Sequence, residues 1–596
     1  MEVPILLPKI FNHPFTYLNY SQNIKNLNQG DIVIVPFGKK KEVGVVWDKL
    51  NNTDKKFKLK KIEKKISNIR LDKKIIKFIN WFSTYNLVPK GMILKMCLGN
   101  LKNFDEVKQK KKIKIKIKKI KYLLNTEQNK ALNSLESSGG KFNVSVLLGI
   151  TGSGKTLVYF ERIKKLVQEN KQALILIPEI FLTTQFKNRF KLFFGYEPAI
   201  WHSKISLNKK KDIWQSVANN KVKIVLGARS SLFLPFKNLG LIVVDEEHDS
   251  SYKQEESVIY NARDMAISRA SIENIPIHLI TSVPSLETYN NIKNKKYEII
   301  ELKNRFKNYP LPKTKVVKLS LENLNKKSIS NETIKVVSEY LKKKNQILFF
   351  LNRRGYAPFL ICKKCGYRHS CPNCSIYLTY HKILNKIICH HCGFKSNTKR
   401  KCINKNLSCN FSMYGPGVEK VFEEIKSIFP EKVIKIFSSD YLSKKKQSES
   451  LINQASEEKI DILIGTQMIS KGFNFPKLNC IVVVDADFTG KGYDLRTTEK
   501  NIQLYNQLSG RAGRFSKDSV IIYQTINPDN HILKNILENK IENFFKDELK
   551  IRKQNSLPPF CRLISLIISS NSKESSYLGA LEIKKKIERL NNIEIL

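Results

Sequence analysis

The chain has 596 residues, 41% of them hydrophobic, and carries 105 Lys+Arg against 53 Asp+Glu for a formal net charge of +52. That length exceeds what one core supports and predicts several domains, and no run of about 18 apolar residues is present to span a membrane as a helix. The positive balance suits polyanionic partners, although Lys greatly outnumbers Arg and Asn is abundant throughout, so a composition rich in Lys and Asn accounts for part of it.

Residues 1–104 read as a small β-rich domain. Gly30–Gly38 is a strand closed by Pro and Gly, Lys39–Lys41 a basic turn, and Glu42–Trp47 the returning strand. A helical spacing follows from Asp72 to Tyr85, with Ile75, Ile76, Ile79 and Phe82 on one face. The basic turn could meet phosphates or simply be solvated. The opening MEVPILLPKIFNHPF has no charged segment leading into an apolar one, so no secretion signal is expected and the cytoplasm is the expected location. In residues 105–121, Ile113, Ile115 and Ile117 alternate with lysines, giving a basic linker or a remnant strand with a cationic face.

Residues 122–310 alternate apolar strands with helical patterns, as a parallel α/β sheet requires. Gly149-Ile-Thr-Gly152-Ser153-Gly154-Lys155-Thr156 lies between the strand at 144–148 and a helix at 157–167. It matches the phosphate-cradling P-loop: glycines let backbone N–H groups curl round phosphates, Lys155 reaches the β/γ-phosphates of ATP, and Thr156 offers a hydroxyl to Mg²⁺. Further strands are expected at 173–177, 223–226, 241–244 and 277–280. Asp245-Glu-Glu-His248 follows the strand at 241–244, where Asp245 is placed to hold Mg²⁺ and Glu246 to activate water. Gln128 lies upstream, where its amide could read an adenine edge. Gly227-Ala-Arg229-Ser230 could present N–H groups and a guanidinium to a nucleic-acid phosphate.

Residues 311–361 and 410–530 read as a second α/β lobe, with strands at 347–351, 433–437, 462–464, 481–484 and 520–523. Gln507-Leu-Ser-Gly-Arg511-Ala-Gly-Arg514 precedes the last strand. Two arginines so spaced can reach a γ-phosphate bound by the other lobe and stabilise transition-state charge. Residues 362–409 interrupt this lobe with eight of the chain's 11 cysteines. Cys362/Cys365, Cys371/Cys374 and Cys389/Cys392 are C-x₂-C pairs, and Cys402/Cys409 is a wider one. Eight thiolates suit two Zn²⁺ ions in Cys₄ sites. The segment holds ten Lys/Arg and no Asp or Glu, and is too small and polar to fold without metal. Residues 531–596 remain as a short C-terminal domain.

Together the P-loop, DEEH and Q-x-x-G-R-x-G-R segments resemble a superfamily-two helicase motor, in which ATP sits between two RecA-like lobes. The zinc insertion narrows the resemblance to the primosomal replication-restart helicase family. Leu176-Ile-Pro-Glu-Ile-Phe-Leu-Thr-Thr-Gln185, Asp245–Gln254, Gly415-Pro-Gly-Val-Glu-Lys420, Gly465-Thr-Gln-Met468 with Lys471-Gly472 and Phe475-Pro476, and Glu548, Arg552 and Leu557-Pro-Pro-Phe560 all look like that family. The resemblance implies a multidomain α/β chain with an N-terminal DNA-binding domain, two RecA-like lobes, and a short α+β C-terminal domain. It further implies ATP-driven 3′→5′ unwinding of forked and single-stranded DNA, with primosome proteins and single-stranded-DNA-binding protein as partners. By the same resemblance Cys362, Cys365, Cys402 and Cys409 share one zinc, and Cys371, Cys374, Cys389 and Cys392 the other. The Cys402–Cys409 interval is wider than the family's, so His390 or His391 is an alternative to Cys409. Thr281-Ser-Val283-Pro stands where the family has S-A-T-P, which removes a hydroxyl tied to coupling. Phe15-Thr-Tyr17 stands for F-D-Y, bearing on 3′-end recognition. The stretch before the P-loop is short for a winged helix. An RNA helicase and a non-catalytic DNA-binding scaffold are the alternative readings.

Overall fold

The computed structural model describes residues 1–19, 27–48, 59–99, 123–137, 139–178, 184–305, 308–319, 327–351, 359–362, 367, 369, 371–372, 378–381, 386–388, 394–397, 411–414, 418–437, 445–466, 469, 475–487, 495–529, 531–538, 540–590, 593 and 595. The chain divides into two compact units, Met1–Ile541 and Glu542–Leu596.

The first unit opens with a five-stranded antiparallel sheet in the order Phe15–Leu18, Glu2–Leu6, Lys40–Val46, Asp31–Phe37, Lys64–Arg70. The hairpin expected from the sequence sits inside it, with Phe37 paired to Lys40. Gly38 turns the chain at φ +62°, a conformation open to glycine without Cβ strain. The spacing read near 72–85 is a helix, Lys73–Asn86, opened by the Asp72 side chain accepting from Lys74 N. Its apolar face reaches beyond the sheet. Phe78 and Phe82 lie 5.9 and 5.3 Å from Phe233, and Trp214 Nε1 donates to Cys97 O at 2.7 Å. One apolar core therefore runs from Leu6 and Val45 through these helices to Val225 and Leu279 of the following lobe.

That lobe is a seven-stranded parallel sheet in the order Glu298–Leu302, Val144–Gly149, Ile277–Thr281, Leu239–Asp245, Gln172–Leu176, Ile224–Gly227, Ala199–Trp201. The five strands expected are its interior members. The two additional ones are edges, where one unpaired side relaxes the demand for a continuous apolar run. The second lobe is a six-stranded parallel sheet in the order Lys313–Lys318, Val520–Thr525, Leu478–Val483, Gln346–Phe350, Ile462–Gly465, Ile434–Phe437. Its unforeseen strand, KTKVVK, is again an edge.

The insertion leaves this sheet after Phe350 and returns at the Val418–Ile428 helix. Phe359–Cys362 pairs with Phe411–Tyr414, and Thr379–His381, Lys386–Ile388 and Lys395–Asn397 make a small meander. The basic stretch 105–121 lies outside the described residues. The second unit holds the Ile541–Gln554 helix from its second residue on, and Lys573–Ile587 is another helix. The α+β expectation for this end is met in its helices alone. No strand forms among the described residues, and Ile564 and Ile567 stay 82% and 90% exposed without a partner strand.

Candidate nucleotide site between the two lobes

The P-loop leaves the Val144–Gly149 strand and feeds the Lys155–Gln168 helix, so the helix N-terminus faces the loop. Gly152 and Gly154 take φ +92° and +88°, and a Cβ on Gly154 would lie 2.3 Å from Gln128 Nε2. Lys155 Nζ donates to Gly149 O at 2.5 Å and Ile150 O at 3.3 Å, arching over the loop. Burial lowers the pKa of Lys155, and the nearby Glu246 and Asp245 carboxylates oppose that shift. Gln128 is fully buried. Its Nε2 donates to Ser153 O at 2.9 Å and its Oε1 accepts from Asn125 N, completing a capping box. Its amide thus braces the P-loop and is not presented to a base edge.

Asp245 ends the central Leu239–Asp245 strand. Tyr159 Oη donates to Asp245 Oδ2 at 2.9 Å and Glu246 N to Asp245 Oδ1 at 3.1 Å. Burial and the adjacent Glu246 push the Asp245 carboxyl well above the usual range. Glu246 itself sits at φ +51°. The remaining acidic residue, Glu247, points the other way. It is 1% exposed and accepts from Ser285 N at 2.7 Å, Thr288 Oγ1 at 3.0 Å and Arg263 Nη1 at 3.1 Å. His248 Nδ1 lies 2.7 Å from Thr281 Oγ1, and its Nε2 lies 2.8 Å from Gln507 Nε2 of the other lobe. Gln507 is therefore engaged with His248.

The second lobe closes the site with the Thr497–Ser509 helix and the turn that follows. A Cβ on Gly510 would fall 2.1 Å from Thr151 Cβ, so the turn lies directly on the P-loop. Arg305, which no sequence signal singled out, fixes it there. Its Nη1 donates to Ala512 O and Gly513 O at 3.2 and 3.3 Å, and its Nη2 to Ser509 O at 3.2 Å. Burial brings the Arg511 guanidinium down to about 10, against the pull of Glu246. Arg514 is held lower still by burial and by Arg511, Arg189 and Arg305. Several cations thus crowd around two carboxylates in a low-dielectric cleft, a balance that a polyphosphate corrects.

ATP and Mg²⁺ are the groups such a P-loop implies, and the residues fit them. Ser153 Oγ and Glu246 Oε2 are buried without a hydrogen-bond partner, and the paired carboxylates form the hard oxygen set that Mg²⁺ takes. Zinc also fits what is described of the insertion. Cys362 and Cys371 are buried, and Leu378 and Ile387 are the only other buried apolar side chains described between 362 and 409, too few for a core without metal. Cys365, Cys374, Cys389, Cys392, Cys402 and Cys409 lie outside the described residues, as do His390 and His391.

Two further surfaces carry residues that the sequence pointed toward nucleic acid. Arg229 Nη1 donates to Lys253 O at 2.7 Å, beside a cavity of about 120 Å³ lined by Ile177, Pro178, Ala228, Arg229, Ser251 and Tyr252. Tyr252 Oη also lies 2.6 Å from Asp245 O, which joins this cavity to the end of the Leu239–Asp245 strand. In the N-terminal sheet, Phe11, Phe15 and Phe37 cluster at 4.9–5.8 Å, Tyr17 Oη donates to Pro36 O at 3.2 Å, and Lys41 pairs with Glu63 at 2.8 Å.

Two parallel α/β lobes meeting over a P-loop, a DEEH strand end and a paired-arginine turn define a helicase. Family models agree: a 3′ DNA-binding domain over residues 2–99, the Type III restriction enzyme res subunit over 121–268, a helicase conserved C-terminal domain over 385–516, and the PriA DNA helicase Cys-rich region over 371–396. The chain is 40% identical to the replication restart protein PriA of Rickettsia conorii, covering 99% of this chain and 90% of that one. It is 39% identical to that of Haemophilus influenzae over 73% of this chain and 60% of that one. The chain belongs to the replication restart protein PriA family. Among solved structures it is similar to RecG bound to a three-way DNA junction, at 14% identity and a TM-score of 0.43 over 78% of this chain and 50% of that one.

Proposed function

We propose that the chain is an ATP-dependent 3′→5′ DNA helicase that engages abandoned replication forks and starts primosome assembly in the cytoplasm. The observation that carries this reading is the seating of Gly510 on the P-loop residue Thr151, which brings Arg511 and Arg514 to the face holding Lys155 and Glu246. ATP bound there supplies the phosphoanhydride whose cleavage drives movement. Lys155, Thr156 and the backbone of Gly149, Gly152, Ser153 and Gly154 hold the phosphates, and Asp245, oriented by Tyr159, holds Mg²⁺. Glu246 takes the proton of the attacking water, while Arg511 and Arg514 meet developing charge from the opposite lobe. Gln507 acts through His248. Catalysis on this reading is positioning and charge neutralisation.

The N-terminal sheet, with its aromatic cluster and basic hairpin, is assigned to DNA. The 362–409 insertion is assigned to two zinc ions and, with its positive charge, to DNA or an acidic partner. Primosome proteins and single-stranded-DNA-binding protein are the proposed protein partners. The test is steady-state ATP hydrolysis with and without forked DNA, on protein of measured zinc content. DNA-stimulated turnover with about two zincs per chain supports the reading. A folded, zinc-loaded sample that turns over no ATP on any nucleic acid would favour a non-catalytic scaffold, and stimulation by RNA over DNA an RNA helicase.

A further inference from the structure

Val283 raises a question of coupling, because it lacks the hydroxyl expected at that position. In the structure its side chain is buried, and its backbone N and O bond to Thr281 Oγ1 at 3.2 and 2.8 Å. The hydroxyls on either side make the links instead. Thr281 bonds to His248, and Ser285 N and Oγ to Glu247 at 2.7 and 3.1 Å, with Arg263 Nη1 on the same carboxylate. The segment after the Ile277–Thr281 strand is thereby tied rigidly to the DEEH turn.

The second lobe grips this same segment. Leu286 N, at the start of the Leu286–Lys293 helix, donates to Glu499 Oε1 at 3.0 Å. Gln503 Nε2 donates to Pro284 O at 3.4 Å, and Arg496 pairs with Glu287 at 2.5 Å. Glu499, Gln503 and Gln507 stand four residues apart on the Thr497–Ser509 helix and so share one face. That face meets Leu286 N, Pro284 O and His248 in turn, while the end of the same helix lays Gly510 on the P-loop. Glu499 is 3% exposed. A carboxylate is costly to bury unless paired, and Glu499 has Arg496 Nη1 at 3.7 Å and Gln503 Nε2 at 3.5 Å in its own lobe beside Leu286 N of the other lobe.

We propose that Glu499 is a positioning residue that couples the nucleotide site to strand movement, by locking the lobe-2 helix to the Pro284–Glu287 segment. This rests on the ATP-driven motor reading above. Hydrolysis at the P-loop and movement of the second lobe are then joined through one rigid helix. Without Glu499 the ATP-binding groups remain intact, but their state is no longer passed to the Leu286 segment.

The test compares ATP turnover with strand separation on forked DNA for the full chain, Glu499→Ala, Glu499→Gln and Arg496→Ala. Glu499→Ala is expected to keep DNA-stimulated turnover and the KM for ATP within about threefold, yet to separate at least tenfold fewer strands per ATP. Glu499→Gln keeps the acceptor for Leu286 N and should restore most of that ratio. Arg496→Ala, at a partly exposed position, should lower it in the same direction. Turnover and unwinding falling in parallel in both alanine variants, or no recovery in Glu499→Gln, would overturn the proposal. An unaltered chain that hydrolyses no ATP with forked DNA would defeat the motor reading, and the linkage with it, a failure seen before any variant is made.

Discussion

Glu246 holds a left-handed backbone at φ +51°, a strain on the order of 1–3 kcal/mol for a residue with a Cβ, of the kind that clusters at functional sites. It turns the chain so that Asp245 and Glu246 face the P-loop while Glu247 faces Arg263 and Ser285. Adjacent residues with the same chemistry thus acquire different tasks, and no spacing rule announces that. The P-loop lysine was legible because its task follows from a contiguous motif. Lys155→Ala should lower ATP turnover at least 100-fold, of the order seen when one charge-stabilising group is removed, and leave DNA affinity within about twofold; hydrolysis and DNA-binding titrations check both. The ion pair of Glu287 with Arg496 gives a pH effect with a definite sign. Burial alone raises the Glu287 carboxyl, but Arg496 and Arg263 outweigh it and hold it down at about 2. A depressed carboxyl stabilises the fold above its unfolded pKa of about 4.5 and loses that contribution as pH falls through about 2. Acid unfolding over that window should therefore be shallower in Arg496→Ala than in the unaltered chain.

At the scale of elements, legibility follows burial. The strands Val144–Gly149, Leu239–Asp245 and Gln346–Phe350 are covered on both faces, so they read as apolar runs. Glu298–Leu302 and Lys313–Lys318 are sheet edges whose charges reach solvent, and their sequences resemble linkers. The site divides the same way. Its local motifs were readable, but Arg305 and Glu499 act on partners some 200 residues away, and Gln128 had its cap role hidden in a short polar stretch. Closure of the two lobes makes the strictest demand, at Gly510. A methyl group there would stand 2.1 Å from Thr151 Cβ. Gly510→Ala should hold the lobes apart and cost ATP turnover at least tenfold, while ATP binding by the first lobe changes less. A Thr151→Gly second change should recover part of that loss, because the collision is with the Thr151 side chain. A Gly510→Ala chain with normal turnover would show that hydrolysis does not require this seating.

At the scale of the molecule, the N-terminal domain and first lobe share a core, whereas the described residues of the insertion have almost none of their own. Phe78, Phe82, Trp214 and Phe233 belong to one apolar cluster, so the N-terminal domain and the P-loop lobe should lose stability together. Phe82→Ala should cost about 3–5 kcal/mol and lower the denaturation midpoints of both parts together, read by fluorescence and by exchange protection in the two sheets. Zinc removal should do the opposite and act locally. The insertion joins the second lobe where the Gln346–Phe350 strand ends and the Val418–Ile428 helix begins, both held by the lobe's own core at Phe349, Val418 and Val421. Its meander strands are three residues long, so on the proposed zinc reading little among the described residues besides metal–thiolate bonds would oppose the entropy of the unfolded loop. A zinc-selective chelator should abolish amide-exchange protection at Lys386–Ile388 and Lys395–Asn397 while Gln346–Phe350 and Ile462–Gly465 keep theirs. ATP turnover should then persist within a few-fold, because no P-loop, DEEH or arginine contact passes through the described insertion residues. Loss of protection in both sheets at once would mean that the zinc module stabilises the motor lobe itself.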